Sequence, residues 1–186
     1  MKRIWIKRIW IIGLCLLVLL IALPFFLWYV EPGKECRMAI IDIVVPDETR
    51  HEPNGIVFLL NYLKYKNSSN ASFDIQNDYY GFSPTGKEKS YELKPLPHDY
   101  DNYDVIYLAD SYGVFERNLP WIEKDREGSR QRVIYGGLEE EQWLHIVNRL
   151  MKMEKSLFIA EYNAFATPTK KEVRESITNY LGVEWS

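Results

Sequence analysis

A chain of 186 residues with 23 Lys and Arg against 26 Asp and Glu, and a formal charge of −3, is long enough for one domain with a sizeable core. Four of the basic residues precede the first acid, which leaves 19 basic against 26 acidic residues, a balance of −7, for the rest. That balance argues against a nucleic-acid partner and against a second contact with anionic lipid.

The N-terminal segment gives the plainest reading. From Ile9 to Val30 no side chain is charged, and at ~1.5 Å per residue a helix of that length crosses a ~30 Å hydrocarbon core. Residues 1–8 form a basic stretch with Lys2, Arg3, Lys7 and Arg8, whereas residues 31–37 mix both signs. The positive-inside rule therefore predicts a cytoplasmic N-terminus, a single span through the lipid bilayer over residues 9–30, a linker over 31–37 and an extracytoplasmic domain over 38–186. A cleaved signal peptide would have a shorter apolar region with small residues after it. Here Pro24 is followed by Phe25, Phe26, Leu27, Trp28 and Tyr29. Cys15 lies within the span, so Cys36 is the one extracytoplasmic thiol.

Met38 to Val45 is an apolar run stopped by Pro46, and it reads as a buried strand whose unusual acid, Asp42, is expected either at the sheet end or hydrogen-bonded by a neighbour. Pro53-Asn54-Gly55 opens a helix over Ile56 to Lys64 that is apolar on nearly every side and so expected to be covered on more than one face. Asn67 to Asn70 is a polar loop, and Asn67 and Asn70 each begin a glycosylation sequon that would matter in a eukaryotic source. Phe73 to Phe82 has strand-like composition, Ser83 to Ser90 is a loop, and Tyr91 to Leu96 is a short edge strand. Val105 to Ala109, between Asp104 and Asp110, is the clearest strand. Ser111 to Gly137 reads as irregular.

A helix follows, with Glu139, Glu140 and Glu141 in its first turn and Trp143, Ile146, Val147 and Leu150 on one face. Leu157 to Ala160 is another buried strand. Thr169 to Glu172 has the spacing of a capping box for a last helix carrying Val173, Ile177, Tyr180 and Leu181 and closed by Gly182. Val183 to Ser186 has the composition of a strand's beginning, so the domain is expected either to end there or to be a shortened form of something longer. Strands alternating with helices predict an α/β domain, three-layered and mainly parallel, of flavodoxin-like or related type.

In such a sheet, ligands bind beyond the carboxyl ends of the strands. The residues there are Asp47, Glu48, Thr49 and His51, then Asp110, Ser111 and Tyr112, then Glu161, Tyr162 and Asn163, with the Gly136-Gly137 turn able to reach the same rim. Asp110, Glu161, Asp47 and His51 are the candidates for acid–base work. Thr49, Ser111, Tyr112, Gly136, Gly137 and Asn163 are candidates for ligand contacts. The same residues have a plain structural alternative, because strands stop and helices are capped at polar side chains.

Gly81 to Lys87 matches the spacing of a phosphate loop, but Glu88 stands where Ser or Thr would hold magnesium, and no helix is predicted after it. There is no Gly-x-Ser-x-Gly elbow and no zinc spacing, so neither metal nor cofactor is expected. His98, in a Pro-flanked loop with Asp99 and Asp101, is a weak metal suggestion, and His145 reads as a solvated surface residue.

The order of elements resembles the class I glutamine amidotransferase-like superfamily, including its trehalose-utilisation-type branch. The resemblance rests on Ile40 to Leu63, on Tyr103 to Asp110 and on the helix–strand pair from Glu139 to Ala160. It implies an amidotransferase-like fold over most of residues 38–182. The family's activity needs a Gly-x-Cys-x-Gly elbow, whereas the corresponding turn here is Glu161-Tyr162-Asn163-Ala164. The expectation is therefore a non-catalytic module that binds a small neutral or cationic ligand or an envelope protein. The alternative is an envelope hydrolase, carbohydrate-active in the natural case, using Asp110 and Glu161 as its carboxylate pair.

Overall fold

The computed structural model describes residues 2–44, 51–85, 90–119, 121–122, 132–152, 155–165 and 167–184. The chain divides into two units at Gly33. The first is a single helix, α1 (Lys2–Val30), which continues through Pro24 and begins seven residues before the uncharged run. Its stretch Trp5–Val30 contains an 18-residue window of mean hydropathy 2.9 and is long and apolar enough to cross a membrane. At 29 residues the helix spans ~43 Å, more than a hydrocarbon core, so its basic first turns need not enter lipid.

The second unit is a mixed α/β domain. In chain order it contains β1 (Lys34–Glu35), β2 (Met38–Asp42), α2 (His51–Tyr62), β3 (Tyr65–Lys66), β4 (Tyr80–Pro84), β5 (Tyr91–Lys94) and β6 (Val105–Asp110). It continues with β7 (Val114–Phe115), β8 (Val133–Tyr135), α3 (Glu140–Leu150), β9 (Leu157–Ala160) and α4 (Lys171–Leu181). The main sheet has the order β5-β4-β2-β6-β9. Its pairs are parallel except at the edge, where β5 runs antiparallel to β4. Taken in chain order, the four parallel strands stand second, first, third, fourth.

The side-chain alternation of β2 and β6 divides the core. Ala39, Ile41, Ile106 and Leu108 pack with Trp143 and Ile146 of α3 and with Val173 and Ile177 of α4. Met38, Ile40, Tyr107 and Ala109 pack with Val57 and Leu60 of α2. Both faces of the central strands are thus dry, which is why these strands read as unbroken apolar runs.

Several local expectations are corrected. The α2 helix starts at His51, so Pro53-Asn54-Gly55 lies in its first turn, where a missing proline N–H costs no helical bond. Nor is α2 covered all round: Phe58, Leu59, Tyr62 and Leu63 are exposed. Residues Phe73 to Tyr79 form turns, not strand, because side chains capture their backbone. Asn61 brackets Phe73 with bonds to its N–H and carbonyl of 2.9 and 2.8 Å, and Asp74 accepts the Gln76 N–H. The region after Ser111 contains a two-stranded ladder, β7 with β8.

The α3 helix is capped by a reciprocal Glu139–Gln142 box, with Glu139 preceding the helix rather than inside it. The box expected at Thr169 does not form. Lys170 occupies the cap position, and the Thr169 hydroxyl is bonded elsewhere. Gly182, at φ 67°, closes α4 as expected. Val183 and Glu184 continue without regular structure, and residues 185 and 186 lie outside the described residues.

Candidate functional site

The predicted rim begins where β2, β6 and β9 end. Asp47, Glu48 and Thr49 lie outside the described residues, and His51 is placed only as the first residue of α2. Of the other candidates, Asp110 ends β6 and Glu161 follows β9 on the neighbouring strand, with Leu108 opposite Ala160. The two carboxylates therefore share one edge of the sheet. Glu161 accepts the hydroxyl of Tyr107, whose ring packs on the α2 side.

Asp110 is 2% exposed, and both its oxygens are engaged. Oδ1 accepts the Tyr112 N–H at 2.5 Å, which closes a turn after β6, and Oδ2 accepts Asn163 Nδ2 at 2.8 Å. Burial pushes the Asp110 carboxyl above the usual carboxylate range, against the pull of these two donors. The nearby charge of Glu161 adds to the rise.

Ser111 is fully buried and knits the rim. Its hydroxyl lies 2.9 Å from the Ala164 carbonyl and 3.0 Å from the Thr169 hydroxyl, and its carbonyl accepts the Gly137 N–H at 3.0 Å. Leu138 N–H donates to Thr169, and Glu139 N–H to Gln142. The Gly137, Leu138 and Glu139 N–H groups ahead of α3 are thus occupied within the protein. Those glycines are needed for close approach. A Cβ on Gly136, at φ 141°, would stand 2.1 Å from the Cα of Gly113.

Asp42 belongs to this rim, at the sheet end, one of the two places expected for it. The strand ends at Asp42, which is 1% exposed and is the register partner of Asp110 across a bulge. Gly81 of β4 lies against it: a Cβ there would meet the Asp42 carbonyl oxygen at 1.7 Å. Gly81 is therefore a strand residue and not the start of a phosphate loop leading into a helix. His145 is half-buried, with its Nε2 3.7 Å from Glu141 and its ring edge-on to His98 at 5.8 Å. This corrects its reading as freely solvated. Among the described residues no three His, Cys, Asp or Glu side chains converge as a metal site.

At the opposite, amino end of the sheet lies a cleft of about 840 Å³ that the strand-end rule did not point to. Its wall is built from the start of β2, the turns of residues 67–79 and the loop before β6. The Tyr80 and Tyr103 hydroxyls meet at 2.5 Å in this cleft. Burial, and then the bond to Tyr80, hold the Tyr103 hydroxyl in its neutral form. Lys94 lies 4.6 Å above the Tyr79 ring and donates to the Gln76 carbonyl. Asn67 donates to Asp78 through Nδ2, the atom that glycosylation would modify.

Arg37 grips Asp104 with two bonds of 3.0 and 2.7 Å, and this pair holds the Asp104 carboxyl below the usual range. Cys36 also lines the cleft. Burial and then the Asp104 charge raise its thiol, which stays protonated and unreactive at neutral pH. The cleft thus offers ring faces, amides and neutral hydroxyls together with the charged side chains of Arg37, Asp78, Glu92, Lys94 and Asp99. No protein family, curated protein or solved structure matches this chain.

Proposed function

We propose that the protein is a membrane-tethered binding module, with a cytoplasmic N-terminus and an extracytoplasmic α/β domain that holds a small neutral polar ligand in the cleft beside Tyr80 and Tyr103. The observation that carries the reading is the chemistry of that cleft. Ring faces beside neutral hydroxyls and amides suit a polyhydroxylated ligand, and the one thiol lining the cleft is protonated. The strand order second, first, third, fourth is that of a flavodoxin-like doubly wound sheet and supports a three-layer, amidotransferase-like architecture. The absence of a cysteine at Glu161-Tyr162-Asn163-Ala164 separates such a domain from amidotransferase activity.

The second reading, a hydrolase using Asp110 and Glu161, draws support from the elevated proton affinity of Asp110 beside a second carboxylate. It ranks lower because Asp110 is enclosed and its oxygens hold Tyr112 and Asn163.

The test is titration of the full chain in lipid nanodiscs with neutral mono- and disaccharides, followed by ligand-observed NMR. The reading expects saturable binding that weakens tenfold or more in a Tyr80→Ala/Tyr103→Ala variant and persists in Asp110→Asn. Lack of binding across the panel, or turnover of chromogenic glycosides lost in Asp110→Asn, overturns it. Orientation is read separately from protease added outside intact cells, which should digest residues beyond about 37 and leave the span.

A further inference from the structure

The α2 helix carries a stripe that the fold leaves open. Its inner face, Val57 and Leu60, is buried against the sheet at 6% exposure each. On the outer face Phe58, Leu59, Tyr62 and Leu63 are 67%, 46%, 57% and 47% exposed. Positions i, i+1, i+4 and i+5 lie side by side on a helix, and the Phe58 and Tyr62 rings stack at 6.1 Å, so the four make one continuous patch. Exposed single apolar residues are ordinary, whereas a contiguous aromatic and leucine patch marks a contact surface. By comparison α3 and α4 expose Leu144 and Tyr180 singly.

We propose that this face of α2 rests in the interfacial layer of the membrane in which α1 is anchored. The proposal builds on the membrane-tethered reading above. The occupant is indicated by where the patch lies along the chain. Only Glu31, Pro32 and Gly33 separate α1 from β1, and β1 pairs with β3, which begins three residues after the end of α2. The patch is therefore fastened to the segment by which the chain leaves the span. Its composition also fits. Aromatic rings and leucines are the side chains by which an interfacial helix enters the acyl boundary. The overall charge of −7 does not oppose this contact, because the patch itself is uncharged.

The test uses nitroxide labels on the full chain, with Cys15→Ser and Cys36→Ser, in phosphatidylcholine nanodiscs. Labels at Phe58→Cys and Tyr62→Cys are compared with Tyr180→Cys on α4 and Leu19→Cys in the span. Collision with oxygen, which partitions into lipid, is measured against collision with a water-soluble nickel chelate. The expected result is an oxygen preference at 58 and 62 several-fold above that at 180 and below that at 19. A water-like ratio at 58 and 62, or protection from both reagents as a protein partner would give, overturns the proposal while the label at 19 still reports the anchor. A water-like ratio at 19 would instead remove the anchored reading itself. Because all the labelled domain positions are exposed, each substitution leaves the core intact, and labels at Leu59→Cys and Leu63→Cys repeat the measurement.

Discussion

Replacing Asp110 with Ala separates a structural carboxylate from a catalytic one. The substitution removes the acceptor of the Tyr112 N–H at 2.5 Å and of Asn163 Nδ2 at 2.8 Å, in a site where Asp110 is 2% exposed. Hydrogen bonds to a charged group contribute ~1.5–3 kcal/mol each, and release of a buried charge offsets part of that, so the net loss is about 2–4 kcal/mol. For a domain of this size that lowers Tm by roughly 5–15 °C. Near-ultraviolet circular dichroism of the full chain in detergent, followed through thermal unfolding, measures it.

The dependence on pH has a definite sign. Because the folded Asp110 carboxyl lies above its ordinary value of 3.8, the native state binds the proton that the unfolded chain releases between the two values. Wild type therefore gains stability relative to Asp110→Ala as pH falls through that window, and the gap between them is wider near pH 4 than at pH 7. A variant that melts within about a degree of wild type would show that Asp110 braces nothing, which would return the residue to the hydrolytic reading.

Three further outcomes are expected. Gly136→Val should cost about 3 kcal/mol or more by unfolding, since a side chain at φ 141° would strike the Gly113 backbone, whereas Gly55→Ala, with open space around it, should be neutral or mildly stabilising. The Asp104 carboxyl is held low by Arg37, so its contribution is present above the ordinary carboxylate value and is lost as pH falls through the lowered one; Arg37→Ala should remove that acid-limb dependence in a pH series of unfolding midpoints. Cys36→Ser should leave saccharide binding unchanged and should abolish no glutamine hydrolysis, as measured by ammonia release.

What was legible in the sequence follows the range of the interactions involved. The strand over Val105 to Ala109, which runs one residue further to Asp110, the apolar face of α3 and the αL closure at Gly182 are set by local periodicity and backbone sterics. The edge strand Tyr91–Lys94 was readable because prolines bound it. The strand expected over Phe73 to Phe82 was not, because its first half is held by Asn61 and by Asp74, contacts that composition does not reveal. The same limit applies to the rim. Reading β2 out to Val45 left two places open for Asp42, and only the register with Asp110 sets it at the sheet end. The cleft was invisible for a stronger reason. Tyr80 and Tyr103 are 23 residues apart and meet only because β4 and β6 flank β2 on either side.

The two ends of the sheet therefore carry polar groups of opposite availability, and this decides where a ligand has room. At the carboxyl end, strand-end polar groups bind one another: Asp110 to Asn163, Ser111 to Thr169, Gly137 N–H to Ser111. Removing water from such groups is tolerable only because each finds a partner, and a ligand would have to break those bonds to enter. At the amino end, Arg37 and Asp104 satisfy each other and tie the approach to β2 to the approach to β6, while the tyrosine pair beside them keeps hydroxyl capacity that their single shared bond does not exhaust. A bidentate ion pair at the cleft's edge with a neutral hydroxyl pair inside favours a ligand that hydrogen-bonds without charge. An anion would face Glu92, Asp78 and Asp99, and a cation would meet Lys94 and Arg37. The mixed charges lining the cleft are consistent with the neutral ligand proposed for it.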